Sequence, residues 1–256
     1  MILCLDMGNT HLYGGVYDNN VLKLQFRYPS NTASTSDQLG IFFKSVLREN
    51  GIVWTDIKKV AICSVVPSLN YSVRAAFFKY FSITPYFLQA DNNITINLRH
   101  MQDLGADRIA CAVAAIAAYP NQPLIVIDLG TAITIDAIAA NHDYLGGLIL
   151  PGLAIAMKGL SENTAKLPAV NIVKSQQILG ETTTTQIQSG LYYGHLGALR
   201  EILSQIKATI FPQETPVIVG TGGFSQLFER AGLFTSIIPE LVLDGLRQMA
   251  ETRILS

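Results

Sequence analysis

Residues 3–10 read LCLDMGNT, and residues 125–132 read IVIDLGTA. Each stretch is a short apolar run ending in Asp, then one apolar residue, then Gly and a small polar segment. An apolar run of this length closed by glycine spells a buried strand entering a tight turn. Both halves then continue alike, with two further strand patterns around a polar turn. Residues 13–17 and 21–26 flank Asp18-Asn19-Asn20, and residues 132–139 and 144–150 flank Asn141-His142-Asp143. Asp128 follows Asp6 by 122 residues, close to half of the 256-residue chain. A repeat of that period is a domain duplication rather than a solenoid. The expectation is an α/β protein of two related domains, 1–120 and 121–256.

The rest of the chain alternates between the two periods. Residues 36–50 place Leu39, Phe42, Phe43, Val46 and Leu47 at helical spacing behind Ser36 as N-cap. A strand is expected over 60–66, stopped by Pro67, and a helix over 69–81. Further helices are expected over 109–118, 152–160, 184–208 and 225–231, and a short strand over 217–219 before Gly220-Thr221-Gly222-Gly223.

Composition narrows the function. The chain is 49% hydrophobic and only 14% charged, with a formal net charge of −1. Soluble proteins average about 25% charged residues, so this one is rich in buried surface and is not disordered. A sequence pI near 6.4 supplies no basic field for nucleic acid or anionic lipid. Mean hydropathy is +0.32, yet the longest apolar run, 109–118, is about half of a membrane span. MILCLDMGNT has no basic n-region and reads as a first strand, not a signal peptide. The surplus apolar content points to buried strands and a subunit interface. Cys4, Cys63 and Cys111 are scattered in apolar runs, which fits a reducing cytoplasm better than a disulfide or zinc framework. His11, His100, His142 and His195 have no metal-ligand spacing.

The two Asp-x-Gly turns are the candidate chemistry. Glycine lets the backbone bend sharply and approach a ligand. The exposed N–H groups of such a turn can face phosphate oxygens, and Asn or Thr adds neutral donors. The Asp can hold a cation, which shields phosphates during transfer. One such turn alone is accounted for by hairpin capping. Two at matching places in duplicated halves point to a nucleotide. The Gly220–Gly223 turn fits either an adenosine face or an ordinary strand-to-helix connection; it is not GxGxxG, and no Walker A pattern exists. Asp107, opening the 109–118 helix, reads either as a dipole-stabilised cap or as a base for a substrate hydroxyl.

Duplicated strand-Asp-x-Gly turns with a late glycine-rich turn resemble the superfamily of acetate and sugar kinases, actin and chaperone ATPases. Within it, DMGNT (6–10), GADR (105–108), DLGTA (128–132), GGLILPG (146–152) and QSGLYYG (188–194) resemble the type III pantothenate kinases, in order and spacing over nearly the whole chain. The resemblance implies two ribonuclease-H-like domains with a nucleotide cleft between them. It implies ATP-dependent phosphorylation of pantothenate to 4′-phosphopantothenate, the first step of coenzyme A biosynthesis, in a cytoplasmic homodimer.

The same resemblance implies roles. ATP falls to Asp6, Met7, Gly8, Asn9, Thr10, His11, Leu12, Tyr13 and Thr131. Asp107 becomes the catalytic base, and Gly105, Ala106, Arg108 and Thr183 line the pantothenate pocket. Asp128 takes K⁺ or NH₄⁺, and Asp6 lies near Mg²⁺ or a similar divalent ion. A monovalent cation makes sense because neither turn contains Lys. Two positions depart from the family: Leu98 where relatives often carry a substrate-stacking Tyr, and Thr182 where they carry Asn before the Thr. These keep two alternatives open, a kinase of another small hydroxyl compound and a regulatory protein similar to accessory transcription factors on the same fold. Neither a DNA-binding module nor a basic patch speaks for the second.

Overall fold

The computed structural model describes residues 1–30, 33–89, 95–98 and 103–252; His100 lies outside them. The chain divides into two compact units, Met1–Ala114 with Leu241–Ser256, and Ala115–Glu240.

In the first unit, β1 (Ile2–Met7) sits at the centre of a five-stranded sheet. It pairs antiparallel with β2 (His11–Asp18), which pairs antiparallel with β3 (Val21–Pro29). The β2–β3 turn puts Asn19 at φ 52°, a left-handed position that Asn tolerates. Helix α1 (Ser36–Glu49) is capped one residue earlier than expected: Thr35, not Ser36, accepts from the Gln38 N–H, and the Gln38 side chain accepts from the Thr35 N–H in return. Strand β4 (Lys59–Ser64) runs parallel to β1. Pro67 opens α2 (Pro67–Phe81), where its missing N–H costs nothing. Strand β5 (Tyr86–Phe87) completes the sheet in the order β3-β2-β1-β4-β5, and α3 (Ala106–Ala118) follows.

The core of this unit fills the space between sheet and helices with Leu3, Leu5, Met7, Leu12, Phe43 and Phe77 among others. Phe43 and Phe77 stack with centroids 4.8 Å apart, fastening α1 to α2. Truncating either to Ala would cost about 3–5 kcal/mol. The last helix, Leu241–Thr252, returns to this unit and packs on β1, β2 and β4. A Cβ at Gly245 would collide with the Ala110 backbone of α3, so glycine sets that approach. This return divides the chain differently from a cut at residue 120. A helix near the C-terminus is absent from the periodicity reading because its one apolar face, Leu241, Leu243, Leu246 and Met249, is short.

The second unit repeats the plan. Strands β6 (Leu124–Leu129), β7 (Ala132–Ile138) and β8 (Tyr144–Pro151) form an antiparallel meander. Then come α4 (Leu153–Glu162), α5 (Thr183–Thr209), β9 (Val217–Thr221), a 3₁₀ turn at Ser225–Ala231 where an α-helix was expected, β10 (Ser236–Ile237) and α6, the returning Leu241–Thr252 helix. The sheet order is β8-β7-β6-β9-β10, with β6, β9 and β10 parallel. Strand for strand, and in pairing sense, it is the first sheet again. The 122-residue repeat is therefore a duplication of fold as well as of sequence.

Candidate functional site

In the first unit a row of four residues crosses the sheet. Arg27 of β3 is paired with Tyr13 of β2, Tyr13 with Asp6 of β1, and Asp6 with Cys63 of β4. Neighbours in register point to the same face. The Arg27 guanidinium lies 4.3 Å over the Tyr13 ring. The Cys63 thiol donates to Asp6 Oδ1 at 3.2 Å. Burial, and then the negative charge of Asp107, push the Asp6 carboxyl up to about 7 from an ordinary 3.8, against the lowering effects of the Cys63 bond and Arg27. Burial and the two carboxylates also hold the Cys63 thiol well above its usual range, so it stays a donor. Cys63 and Arg27 were not anticipated, because register across three strands cannot be read from local pattern.

The turn after β1 is tied by Gly8 N–H to His11 O at 3.1 Å and by the Ser30 hydroxyl to Gly8 O. Asn9, Thr10 and His11 are exposed at its tip. Met7 and Leu12, expected with them at ATP, have side chains fully inside the core and have only backbone to offer a ligand. Asp107 stands in the first turn of α3, and its Oδ1 accepts from the Arg108 N–H at 2.8 Å. Gly105 precedes it because a Cβ there would crowd that same oxygen, at 2.5 Å. The fold therefore brings Asp6 and Asp107 into one electrostatic neighbourhood, with Gly105, Ala106 and Arg108 beside Asp107.

The second unit holds the matching turn. Asp128 is paired with Thr134 of β7 and with Thr221 of β9. Gly130 donates to Ala132 O at 3.1 Å, and Gly152 to Thr131 O at 3.2 Å. Side chains are excluded around Asp128: a Cβ on Gly222, held at φ +87°, would collide with its carboxylate, and one on Gly152 with the Gly130 and Thr131 carbonyls. The glycine of the late turn thus serves the Asp128 turn directly. The Asp128 carboxylate is closely packed by backbone on the Gly222 side, with exposed Thr131 beyond it in the same turn.

Thr183 lies elsewhere in this unit, at the first position of α5. Thr182, the residue that departs from the family, is the N-cap: it accepts from the Thr185 N–H at 3.2 Å, and Thr185 accepts from its N–H at 3.0 Å. Thr183 borders an apolar groove of about 700 Å³ between α4 and α5, with Leu160, Gln186, Gly190, Gly194 and His195. Among the described residues no cluster of three His, Cys, Asp or Glu forms a closed metal site, and no helix is long and apolar enough to cross a membrane.

Two copies of one mixed sheet, each ending its central strand in an Asp-x-Gly turn, define the two-domain α/β class of actin-like ATPases and sugar kinases. A Clostridium difficile activator of 2-hydroxyisocaproyl-CoA dehydratase, solved with bound ADPNP, shares the fold at TM-score 0.54 and 14% identity over 99% of this chain and 96% of its own. A Campylobacter jejuni protein described as a Baf family transcriptional activator shares it at TM-score 0.61 and 22% identity over 99% and 100%. The model of the type III pantothenate kinases matches residues 2–205, and the Type III pantothenate kinase of Legionella pneumophila (strain Corby) is 51% identical over 252 residues, 98% of each chain. The chain belongs to the type III pantothenate kinase family. It is an enzyme, an ATP-using kinase whose reaction is the phosphorylation of pantothenate for coenzyme A biosynthesis.

Proposed function

We propose that Asp107 is the base of this kinase and that the two Asp-x-Gly turns serve the nucleotide, the first its phosphates and the second a monovalent cation. The observation that carries the reading is the placement of Asp107: it stands in the first turn of α3 behind Gly105, near enough to Asp6 at the end of β1 for the two carboxylates to feel each other's charge. The substrate hydroxyl gives its proton to Asp107 as its oxygen attacks the γ-phosphorus of ATP. The bond from that phosphorus to the β,γ-bridging oxygen breaks, and ADP leaves. Asn9 and Thr10, exposed at the tip of the first turn that the Gly8–His11 bond closes, offer backbone and side-chain donors to the phosphates, and Thr131 offers a hydroxyl. Arg108 suits the carboxylate of pantothenate, because its fork matches two oxygens.

A divalent ion such as Mg²⁺ would be held by Asp6 together with the phosphates and would neutralise their charge. K⁺ or NH₄⁺ would be held by Asp128 at the second turn. Buried thiols at Cys4, Cys63 and Cys111 agree with a cytoplasmic setting.

A homodimer is part of the same reading. Strand β8 is the edge of its sheet, yet Leu145, Leu148 and Ile149 are exposed on it, beside Ile155 and Leu160 of α4. Natural edges are blunted with charge, so an apolar edge of this kind calls for a covering partner. Thr183, at the start of α5 on the same unit as this edge, is the residue that the second unit would contribute to the substrate pocket.

The test is ADP release with ATP, Mg²⁺ and K⁺, with and without pantothenate, in wild type and Asp107→Asn. Pantothenate-dependent turnover lost in the variant with KM for ATP retained supports the role of Asp107. Turnover kept within about tenfold refutes it, since a general base contributes roughly 10²–10⁴-fold.

A further inference from the structure

A second cavity lies in the first unit, between α1, α2 and the 3₁₀ turn Trp54–Asp56, and has a volume of about 570 Å³. Ligand pockets run from about 300 to 1,000 Å³. It is built at the end of the sheet opposite to Asp6. Strands β1 and β4 run parallel from Ile2 and Lys59, and the Met1 amino group donates to Asp56 O at 3.0 Å, which ties the 3₁₀ turn to that starting end. Asp6 is four residues further along β1, about 13 Å away by strand rise.

The lining combines two rings with two cations. Lys44 and Arg48 are one helical turn apart on α1, and the Lys44 ammonium lies 3.6 Å from the centre of the Trp54 indole. Tyr80 forms the opposite wall and is fixed in place. Its ring occupies the space a Cβ on Gly40 would need, and its hydroxyl donates to Asp37 at 2.8 Å. Ile41 and Val53, both more than half exposed, form an apolar rim.

Charge decides the class of ligand. Among the described residues no carboxylate lies within ion-pair distance of Lys44; its neighbours are the rings of Trp54, Tyr80 and Phe81. Among the described residues Arg48 is paired only with its neighbour Glu49, at 2.9 Å, in a bridge so exposed that an anion can compete for it. A half-buried ammonium seated on a π face, with no carboxylate beside it and a cavity in front of it, fits an anion; the exposed Ile41 and Val53 at the rim fit an apolar body. We propose that this cavity is a second ligand site, distinct from the nucleotide turns, for a small organic anion with an apolar body.

Trp54 is the single tryptophan of the chain, so its indole Nε1–H gives one isolated ¹H–¹⁵N resonance that reports on this cavity. The ¹⁵N-labelled protein is titrated with naphthalene-1-sulfonate, with the neutral naphthalene-1-methanol as partner probe, in wild type, Lys44→Met and Arg48→Gln. The expected result is a saturable shift of the Trp54 resonance by the sulfonate at one equivalent per chain. The alcohol binds at least about tenfold more weakly, and Lys44→Met brings the sulfonate down to the level of the alcohol. Arg48→Gln, further from the indole, weakens the sulfonate less. An unmoved Trp54 resonance overturns the proposal. Equal affinities for the two probes, or a Lys44→Met protein binding the sulfonate as wild type does, overturn the anion specificity it asserts. Backbone ¹H–¹⁵N resonances away from the cavity that keep their wild-type positions in the free variants show that each is folded.

Discussion

Asp6 and Cys63 stand opposite each other on neighbouring parallel strands, and the Cys63 thiol donates to the Asp6 carboxylate at 3.2 Å. This bond lowers a carboxyl that burial and Asp107 raise, so it sets how readily Asp6 ionises. Cys63→Ala should lift Asp6 above about 7, whereas Cys63→Ser keeps a donor and should leave it near wild type. The side-chain carboxyl ¹³C titration of Asp6 in the ligand-free protein reads this directly. Equal midpoints in the Ala variant and wild type would contradict the role given to the thiol.

The same carboxyl makes stability depend on pH. Asp6 holds its proton more tightly folded than unfolded, so its contribution to stability is present in full below about pH 4 and is lost as pH rises through about 7. Asp6→Asn removes that loss. Its melting temperature relative to wild type should therefore climb from pH 4.5 to about pH 7 and level off above it. A difference constant over that range would show that Asp6 is not raised.

Thr182→Ala removes the side-chain half of the α5 cap. The expected cost is about 1 kcal/mol, or roughly 2–4 °C in melting temperature for a domain of this size. Thr182→Asn should keep the cap, because Asn serves at that position at least as well as Thr. Thermal unfolding of the two variants side by side distinguishes a capping role from a merely permissive one.

Gly222→Ala puts a methyl group against the Asp128 carboxylate at a φ of +87°. Both effects act on the second turn, so K⁺ stimulation of turnover should fall by at least about tenfold in a protein that still folds. Retained K⁺ stimulation would remove Asp128 from the cation site.

Ile149→Lys charges the exposed edge of β8, where an apolar row would meet a second copy. Light scattering after size exclusion should report a dimer for wild type and a monomer for the variant. A wild-type monomer would overturn the homodimer, and a variant dimer of unchanged affinity would place the interface elsewhere.

Much of this was legible in the sequence, for a definite reason. Strand β6 announces itself because four consecutive apolar residues, Leu124 to Ile127, precede Asp128, and the duplication is legible because Ile2 to Leu5 do the same before Asp6. What local pattern could not supply is register. That Arg27, Tyr13, Asp6 and Cys63 form one row depends on pairings across three strand boundaries. A contiguous motif also overstates a site: Met7 and Leu12 lie within the first turn's span, but alternation along the strand turns their side chains into the core. Thr182 appeared only as a departure from a family pattern, and its capping geometry gives it a local purpose. The return of α6 to the first unit is a long-range packing decision, set at Gly245 against Ala110, that no periodicity announces.

The central claim is that Asp107 takes the proton from the pantothenate hydroxyl. Single-turnover phosphorylation of pantothenate by wild type and Asp107→Asn, at saturating ATP, Mg²⁺ and K⁺, measures it most directly. The account predicts a chemical step slowed by at least about 10²-fold in the variant, with ATP affinity unchanged. A variant that transfers phosphate at close to the wild-type rate would contradict it.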